Sequence, residues 1–389
     1  MTQIVSLEDI MLEPSRNGLT KPKRVRGVGT KMINMGELFA NDRIKDLEMD
    51  RVPLEDKERI TLLNPYDLLF ARQSLVLEGA GKCALFISDS EEVCFESHII
   101  RVRIDQRKAD PRYIFYWFQS PDGRSSIRAR VEQGAGAAGI RGSDLQKIKI
   151  RLPSLSIQKN IADCLETIDE KIELNRKINK TLEHTGRALF RYYFIDNPEA
   201  KNWRSGTLKD VVDNIKKPLK AGAHLAGRIY IPIDCLQMRG LSIHNSLNYT
   251  EAKSSLVSFE KDDILVGAMR VYFHRVNLAP TQGVTRTTTF VLRPKEGHLR
   301  AFATFLIDQD STIAYANTHS KGTTMPYAIW ENGLGNMTIK IPPDELLQKF
   351  QLQTGPMLEI IRDSHQQIQT LAALRDTLIP RLINGKIKL

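Results

Sequence analysis

The sequence predicts an α+β chain built as a pseudo-two-fold internal repeat: two mixed α/β regions, each followed by a long helix. Three observations carry this. Between Leu152 and Pro198, Ile161, Leu165, Ile168, Ile172, Leu182, Leu189 and Tyr193 follow a four–three rhythm, with Asn175, Asn179 and Gly186 at the intervening stripe positions. A stripe of period near 3.5 residues is a coiled-coil seam. The pattern returns between Ile341 and Leu389: Ile161 aligns with Phe350, Ile168 with Met357, Ile172 with Ile361, Leu182 with Leu371 and Leu189 with Leu378, and Ile368 extends the second stripe. Both copies open on an apolar–Pro step, Leu152-Pro153 and Ile341-Pro342, and carry an early Gln-Lys, Gln158-Lys159 and Gln348-Lys349. Finally, the stretches before the helices share landmarks. A spacing this long marks a duplication, since solenoid repeats run roughly 20–50 residues.

A forty-residue helix spans about 60 Å. Its stripe needs a partner, because each seam Leu or Ile contributes about 1.5–3 kcal/mol only when buried. The other long helix is the natural partner. The resulting boundaries are 1–152 and 199–341 for the two globular regions, and 153–198 and 342–389 for the helices.

Composition narrows the function. A chain of 389 residues, 41% hydrophobic and 26% charged, is ordinary for a globular protein with real cores. Its 56 Lys and Arg against 46 Asp and Glu give +10, which points weakly to a polyanionic partner such as nucleic acid. No apolar run approaches the length of a membrane span, and MTQIVSLEDIMLEP lacks the basic start and apolar core of a signal peptide. Cys83, Cys94, Cys164 and Cys235 show no CxxC spacing and read as reduced thiols of a cytoplasmic protein.

Along the first region, Ser15 to Lys31 carries six basic residues and no acidic one, and Gly18, Pro22, Gly27 and Gly29 make it a loop. It is either a solvated surface or a strand of charge laid on phosphates. Tyr66 to Arg72, Lys82 to Ser88 and Ser97 to Ile104 read as strands. Pro111 to Ser120 reads as an aromatic helix opened by proline, with its rings in the core. Glu132 to Asp144 is a Gly-rich loop, and Ile148 to Leu152 a strand leading into the helix.

The second region echoes the first. Lys261 to Arg270 resembles the segment ending at Arg72: Asp67 or Asp263, two aliphatic residues, then Arg72 or Arg270. Thr289 to Leu292 parallels the strand near Ile99, and Ser320 to Thr324 stands where the first region has its Gly-rich loop. In the second helix, Thr354-Gly355-Pro356 predicts a break or kink, Pro380 another kink, and Asn384-Gly385 a C-terminal cap. Asn175 and Asn179 read as register control or as contacts to a partner subunit. Gly186, costing about 1 kcal/mol in a helix interior, implies a close approach there.

Some motifs mislead. Gly134 to Gly139 matches GxGxxG, but no buried parallel strand precedes it and no βαβ unit surrounds it. Asn64-Pro65-Tyr66 superficially matches the catalytic motif of amino-methyltransferases, lacks one proline, and reads as a turn. The eight histidines form no HExxH pair, and no Cys/His cluster has metal spacing. No catalytic residue and no metal ligand is assigned.

With these residues in view, the chain resembles the specificity subunit of type I restriction-modification systems. LPSLSIQKNIADCLETIDEKIELNRKIN is similar to the first conserved region of that family, QTLAALRDTLIPRLINGKI to the second, and EQGAGAAGIRGSDLQKIKIRLP to the end of a target-recognition domain. The resemblance implies two target-recognition domains, each reading half of a split double-stranded DNA site. It implies two long helices packed antiparallel as a coiled coil that sets the half-site spacing. Two methyltransferase subunits would dock on the chain, and restriction subunits join them. S-adenosylmethionine, ATP and Mg would bind those partners, leaving this chain without a cofactor of its own and without membrane contact.

Base readout uses Arg, Lys, Asn, Gln, Ser or Thr on loops entering a groove. The candidates in the first region are Arg24, Arg26, Lys31, Arg72, Gln73, Ser74 and Arg141. In the second they are Arg270, Tyr272, His274, Arg275, Thr285, Arg286, Thr287, Lys321 and Thr323. Two rival readings stand beside this one. A self-contained DNA methyltransferase requires a methyl-donor loop and an intact catalytic motif. A coiled-coil structural adaptor would bind DNA without sequence preference or not at all.

Overall fold

The computed structural model describes residues 3–134, 136–253 and 255–389. It is mixed α/β and divides into two compact units, Met1–Asp169 with Leu374–Leu389, and Glu170–Ala373.

In the first unit, strand Gln3–Ser6 pairs antiparallel with Lys149–Leu152, Gln3 opposite Leu152, so the start of the region is stitched to its end. A five-stranded sheet follows the order Arg16–Asn17, Ile99–Val102, Leu68–Ala71, Cys83–Ser88, Arg43–Lys45. All neighbours are antiparallel except the last pair. The central strand Leu68–Ala71 is buried along its whole length, which explains its unbroken apolar run. Helix Pro111–Gln119 starts with proline in its first turn, and Asp110 caps it by accepting the Arg112 N–H. Its aromatic residues lie in the core as the sequence predicts, with Phe118 edge-on to Phe70 at 5.0 Å.

Ile161, Ala162 and Leu165 of the first long helix share this core with Ile379, Leu382 and Ile383 of the second. Charged groups fix the same junction. Arg112 reaches Asp110, Asp163 and Glu166 at 2.7 Å each. Asp169 accepts from the Tyr116 hydroxyl at 2.7 Å and pairs with Arg375 at 2.8 Å.

The second unit repeats the plan. Arg204–Thr207 pairs with Thr338–Ile341, and the four-stranded sheet runs Val212–Asn214, Thr289–Pro294, Ile264–Gly267, Val276–Leu278. Helices Arg300–Ile307 and Asp310–Thr318 stand where the first unit has Pro111–Gln119 and Pro121–Arg128. Phe190, Phe194, Phe302 and Phe350 form one aromatic cluster. Within this unit the two long helices run in opposite directions: Asn175 donates to Gln367 at 3.2 Å, Asn179 to Ser364 at 2.5 Å, and Phe190 meets Phe350. Gly186 has a packing reason, since a Cβ there would lie 2.1 Å from the Phe305 ring.

The duplication extends to single hydrogen bonds. Asp9 accepts the Ser6 N–H at 2.7 Å, and Asp210 the Thr207 N–H at 2.7 Å. Before each central strand, a four-residue turn places its third residue in the left-handed region, Tyr66 at φ 70° and Asp262 at φ 72°. The fourth residue closes the turn: Asp67 accepts the Asn64 N–H, and Asp263 the Glu260 N–H. Each Asp then takes a two-pronged guanidinium from the adjacent strand or its end, Arg103 and Arg293 respectively. Asn64-Pro65-Tyr66 is therefore a structural turn.

Two sequence expectations change, the break in the second helix and the detail of the stripes. The second helix runs unbroken from Asp344 to Ile383, through both prolines. Leu352, whose carbonyl Pro356 leaves without its helical donor, is 79% exposed, so water can satisfy it. The Thr354 hydroxyl donates back to Phe350 and ties the same turn. The expected cap holds, with Gly385 at φ +67° and its N–H on Leu382. The stripes also differ in detail. Ile161, Leu165, Ile172, Ile361 and Ile368 are buried, whereas Ile168, Leu182, Leu189, Tyr193, Met357, Leu371 and Leu378 are half-buried. Asp169, Glu183, Phe190 and Phe194 occupy buried positions that an apolar 3.5 rhythm passes over. The buried stripe steps at about 3.6 residues, the period of a straight helix, and drifts off a strict heptad. Its carboxylates are admitted because they have partners: Glu183 accepts the Leu241 and Ser242 N–H groups at 2.9 and 3.2 Å.

Two expectations follow. Asp67→Ala should destabilise the chain by about 3 kcal/mol in denaturant unfolding, the usual cost of breaking a buried ion pair. Asp263→Ala should cost less, because the Arg293 side chain is 42% exposed. The second concerns acid. The segment around His244 docks on the second long helix, with His365 Nδ1 on the Ile243 carbonyl at 2.7 Å and Gln369 donating to the His244 carbonyl at 2.6 Å. Burial, then the nearby Arg176 charge, pushes the His244 imidazole down to about 4, and burial lowers His365 too. Between the ordinary histidine value near 6.5 and 4, the unfolded chain binds more protons, so stability is lost as pH falls. The melting temperature should drop across that window, and less steeply in His244→Gln.

Candidate nucleic-acid interface

In the first unit the central strand delivers the chain directly into a ribbon. After Ala71, Arg72 hydrogen-bonds through its backbone to His98 and Ile140. Gln73–Ser74 then pairs with Ala138–Gly139, which pairs with Glu132–Gln133. The Gly-rich stretch is thus a hairpin clamped onto the Arg72 loop; of its GxGxxG match, Ala135 lies outside the described residues. A hairpin between short antiparallel strands, with no parallel βαβ unit around it, is not a dinucleotide-binding turn. Arg72 is half-buried, Gln73 is exposed, and no hydrogen bond or ion pair to either side chain is present among the described residues. Arg141, at the hairpin exit, pairs in solvent with Glu132 at 3.0 Å. The loop tip is apolar: Leu75 is 90% and Val76 60% exposed.

In the second unit the strand Ile264–Gly267 runs into an equivalent arrangement. Met269 bridges to Tyr327, and the Arg270 N–H donates to the Pro326 carbonyl at 2.7 Å, tying this loop to the hairpin of Ser320–Lys321 and Tyr327–Ala328. Arg270 adopts φ 49° and Tyr272 is 48% exposed. Arg286, at the end of the strand Gly283–Arg286, Thr287, on the turn that follows, and Lys321 and Thr323, on the hairpin, are exposed. Thr287 and Lys321 line one cavity of about 670 Å³ with Met269, Phe290, Met325, Tyr327 and Trp330. Arg275 lies over the Phe273 ring at 5.1 Å.

Other candidates belong to the protein interior or to internal ion pairs. Lys31 is buried and pairs with fully buried Asp89 at 2.9 Å. His274 is buried between Asp308 at 3.0 Å and Asp310 at 3.2 Å. Thr285 is fully buried in the strand Gly283–Arg286. These three are set aside as DNA contacts. Arg26 is tied to Asp50 at 2.7 Å, and Lys21 to Glu58 at 2.7 Å, so much of the basic run Ser15–Lys31 is neutralised internally by acidic residues distant in sequence. Arg24 is exposed on the short turn Lys23–Val25. Sequence reasoning passed over Leu75, Val76, Met325 and Tyr327, because apolar residues read as core until their exposure is seen.

Among the described residues no group of three or more His, Cys, Asp or Glu could hold a metal, and no helix is long and apolar enough to cross a membrane.

Comparisons with known proteins agree on one family. The family model described as the type I restriction modification DNA specificity domain matches residues 5–184. The chain is 26% identical over 308 residues to the type I restriction enzyme MjaIX specificity subunit of Methanocaldococcus jannaschii, covering 71% of this chain and 69% of that one. It is 27% identical over 189 residues to the EcoKI specificity subunit of Escherichia coli K12, covering 46% of this chain but only 38% of the relative. The crystal structure of a type I restriction-modification S subunit from M. genitalium has the same fold, with TM-score 0.55 at 14% identity over 98% of this chain and 96% of that one. The family model, the named relatives and the shared fold together support a type I restriction-modification specificity subunit.

Proposed function

We propose that this chain is the DNA-reading subunit of a type I restriction-modification complex and recognises a bipartite site, one half with each globular region. The observation that carries the reading is the twice-built loop assembly at the end of each central strand. The backbone plan is shared, while the side chains differ: Arg72, Gln73 and Arg141 in one unit, Arg270, Thr287 and Lys321 in the other. One scaffold carrying two divergent sets of donors suits two readers of different sequences. Rigid strands supply the positioning that base recognition demands, and guanidinium and amide groups supply the paired donors and acceptors that distinguish base edges. The net charge of +10 favours the sequence-independent attraction to phosphates.

In this reading residues 1–152 and 199–341 are the target-recognition domains, and 153–198 and 342–389 are the helices that space them. Two methyltransferase subunits dock on the chain and restriction subunits join them. S-adenosylmethionine, ATP and Mg act on those partners, and this chain contributes no catalytic group.

Selection of bound sequences from a randomised duplex library tests the assignment. Arg72→Ala should relax one half of the selected motif and Arg270→Ala the other, each by about 1–3 kcal/mol of discrimination at the affected base pair. An equal change in both halves from either substitution contradicts two separate readers.

A further inference from the structure

The cavity of the second unit has a composition that reading a base edge does not require. Its floor is aromatic: Trp330 and Phe290 sit edge to face at 6.1 Å, and Gly335 allows the close packing that fixes the indole. Its walls are Met269, Met325 and Tyr327, the last two about half exposed. Asn214, Thr287, Thr288 and Lys321 add polar side chains to this lining. Among the described residues none of these four groups has a side-chain hydrogen-bond or ion-pair partner within the protein. Lys216 lies at the rim beside Glu331 at 3.2 Å, and exposed Lys217 and Lys220 continue the basic edge.

We infer that this cavity holds one nucleobase of the bound DNA, unstacked from the duplex. The inference rests on the DNA-reading function proposed above. A base that stays paired presents only an edge to a groove and leaves an aromatic floor unused. A nucleotide swung out of the stack uses it, and the recess of about 670 Å³ has room for one: its flat ring lies against Tyr327 and the methionines over the indole floor. The Asn214 amide, one acceptor and two donors, pairs with the ring edge, as amide side chains do with adenine. Lys321 and the basic rim meet the backbone phosphates on either side. Unstacking costs a few kcal/mol, and stacking on aromatic side chains offsets it. Volume alone does not choose between purine and pyrimidine; the Asn214 amide favours adenine.

The test uses the full chain reconstituted with its methyltransferase partner and duplexes carrying the selected site. 2-Aminopurine replaces each base of the second half-site in turn, and its fluorescence rises when it leaves the stack. The structure predicts a rise at one position other than the methylated adenine. Asn214→Ala and Met325→Ala, both at partly exposed positions that leave the core intact, should abolish that rise and weaken specific binding by about tenfold. The signal at the methylated base should persist, which also shows that the variants are folded. Specific binding with no second fluorescent position overturns the base-pocket assignment and leaves the reader intact. A second position insensitive to both substitutions overturns it equally. Failure of the wild-type complex to prefer any sequence overturns the reading function itself.

Discussion

A helix of 36 residues with a single apolar stripe has to bury that stripe, and this requirement organises the chain. The partner is supplied by the chain's other end, a 40-residue helix with the matching stripe. Each unit's core therefore contains a segment of both helices: Ile161 and Leu165 with Ile379 and Leu382 in one, Phe190 with Phe350 and Ile361 in the other. The globular regions are built directly onto those segments. Arg112 clasps Asp163 and Glu166, and Glu183 holds the Leu241 and Ser242 amides. Buried carboxylates on a helical stripe are costly unless paired; here Asp169 is held by the Tyr116 hydroxyl and Arg375, and Glu183 by the Leu241 and Ser242 amides.

The same economy governs the loop assemblies at the strand ends. A central strand buried on both faces cannot move, and the Asp-closed turn before it, locked by Arg103 or Arg293, fixes where the strand begins. The loop leaving the far end is then clamped by a hairpin from the segment that precedes the next long helix. Rigid delivery of variable loops lets side chains change without disturbing the scaffold. That explains how two regions so different in sequence keep the same hydrogen-bonded turn, cap and strand pairing.

Much of this plan was legible in the sequence, and the reasons are physical. Helical periodicity is long-range and redundant, so both helices and their equivalence emerge from apolar spacing alone. The strand Leu68–Ala71, the aromatic helix Pro111–Gln119 and the Asn384-Gly385 cap follow from equally local rules. The break expected at Pro356 does not occur: the helix runs on through it, and the carbonyl it frees belongs to Leu352, an exposed residue whose surroundings only the packing decides. The interface was read less well. Lys31 and His274 have the right chemistry for DNA, but their partners, Asp89 and Asp308, lie far away in sequence. The cavity over Trp330 joins four separate stretches of chain, and no single stretch announces it.

The most direct test of two independent readers on one scaffold is a methylation map. The chain, co-purified with its methyltransferase subunit, is supplied with S-adenosylmethionine and random-sequence DNA, and the modified adenines are located. The account predicts a motif of two specific halves around an indifferent gap. It further predicts that replacing residues 1–152 with the corresponding region of a relative changes one half and leaves the other untouched. A continuous motif, or a replacement that rewrites both halves, would contradict it.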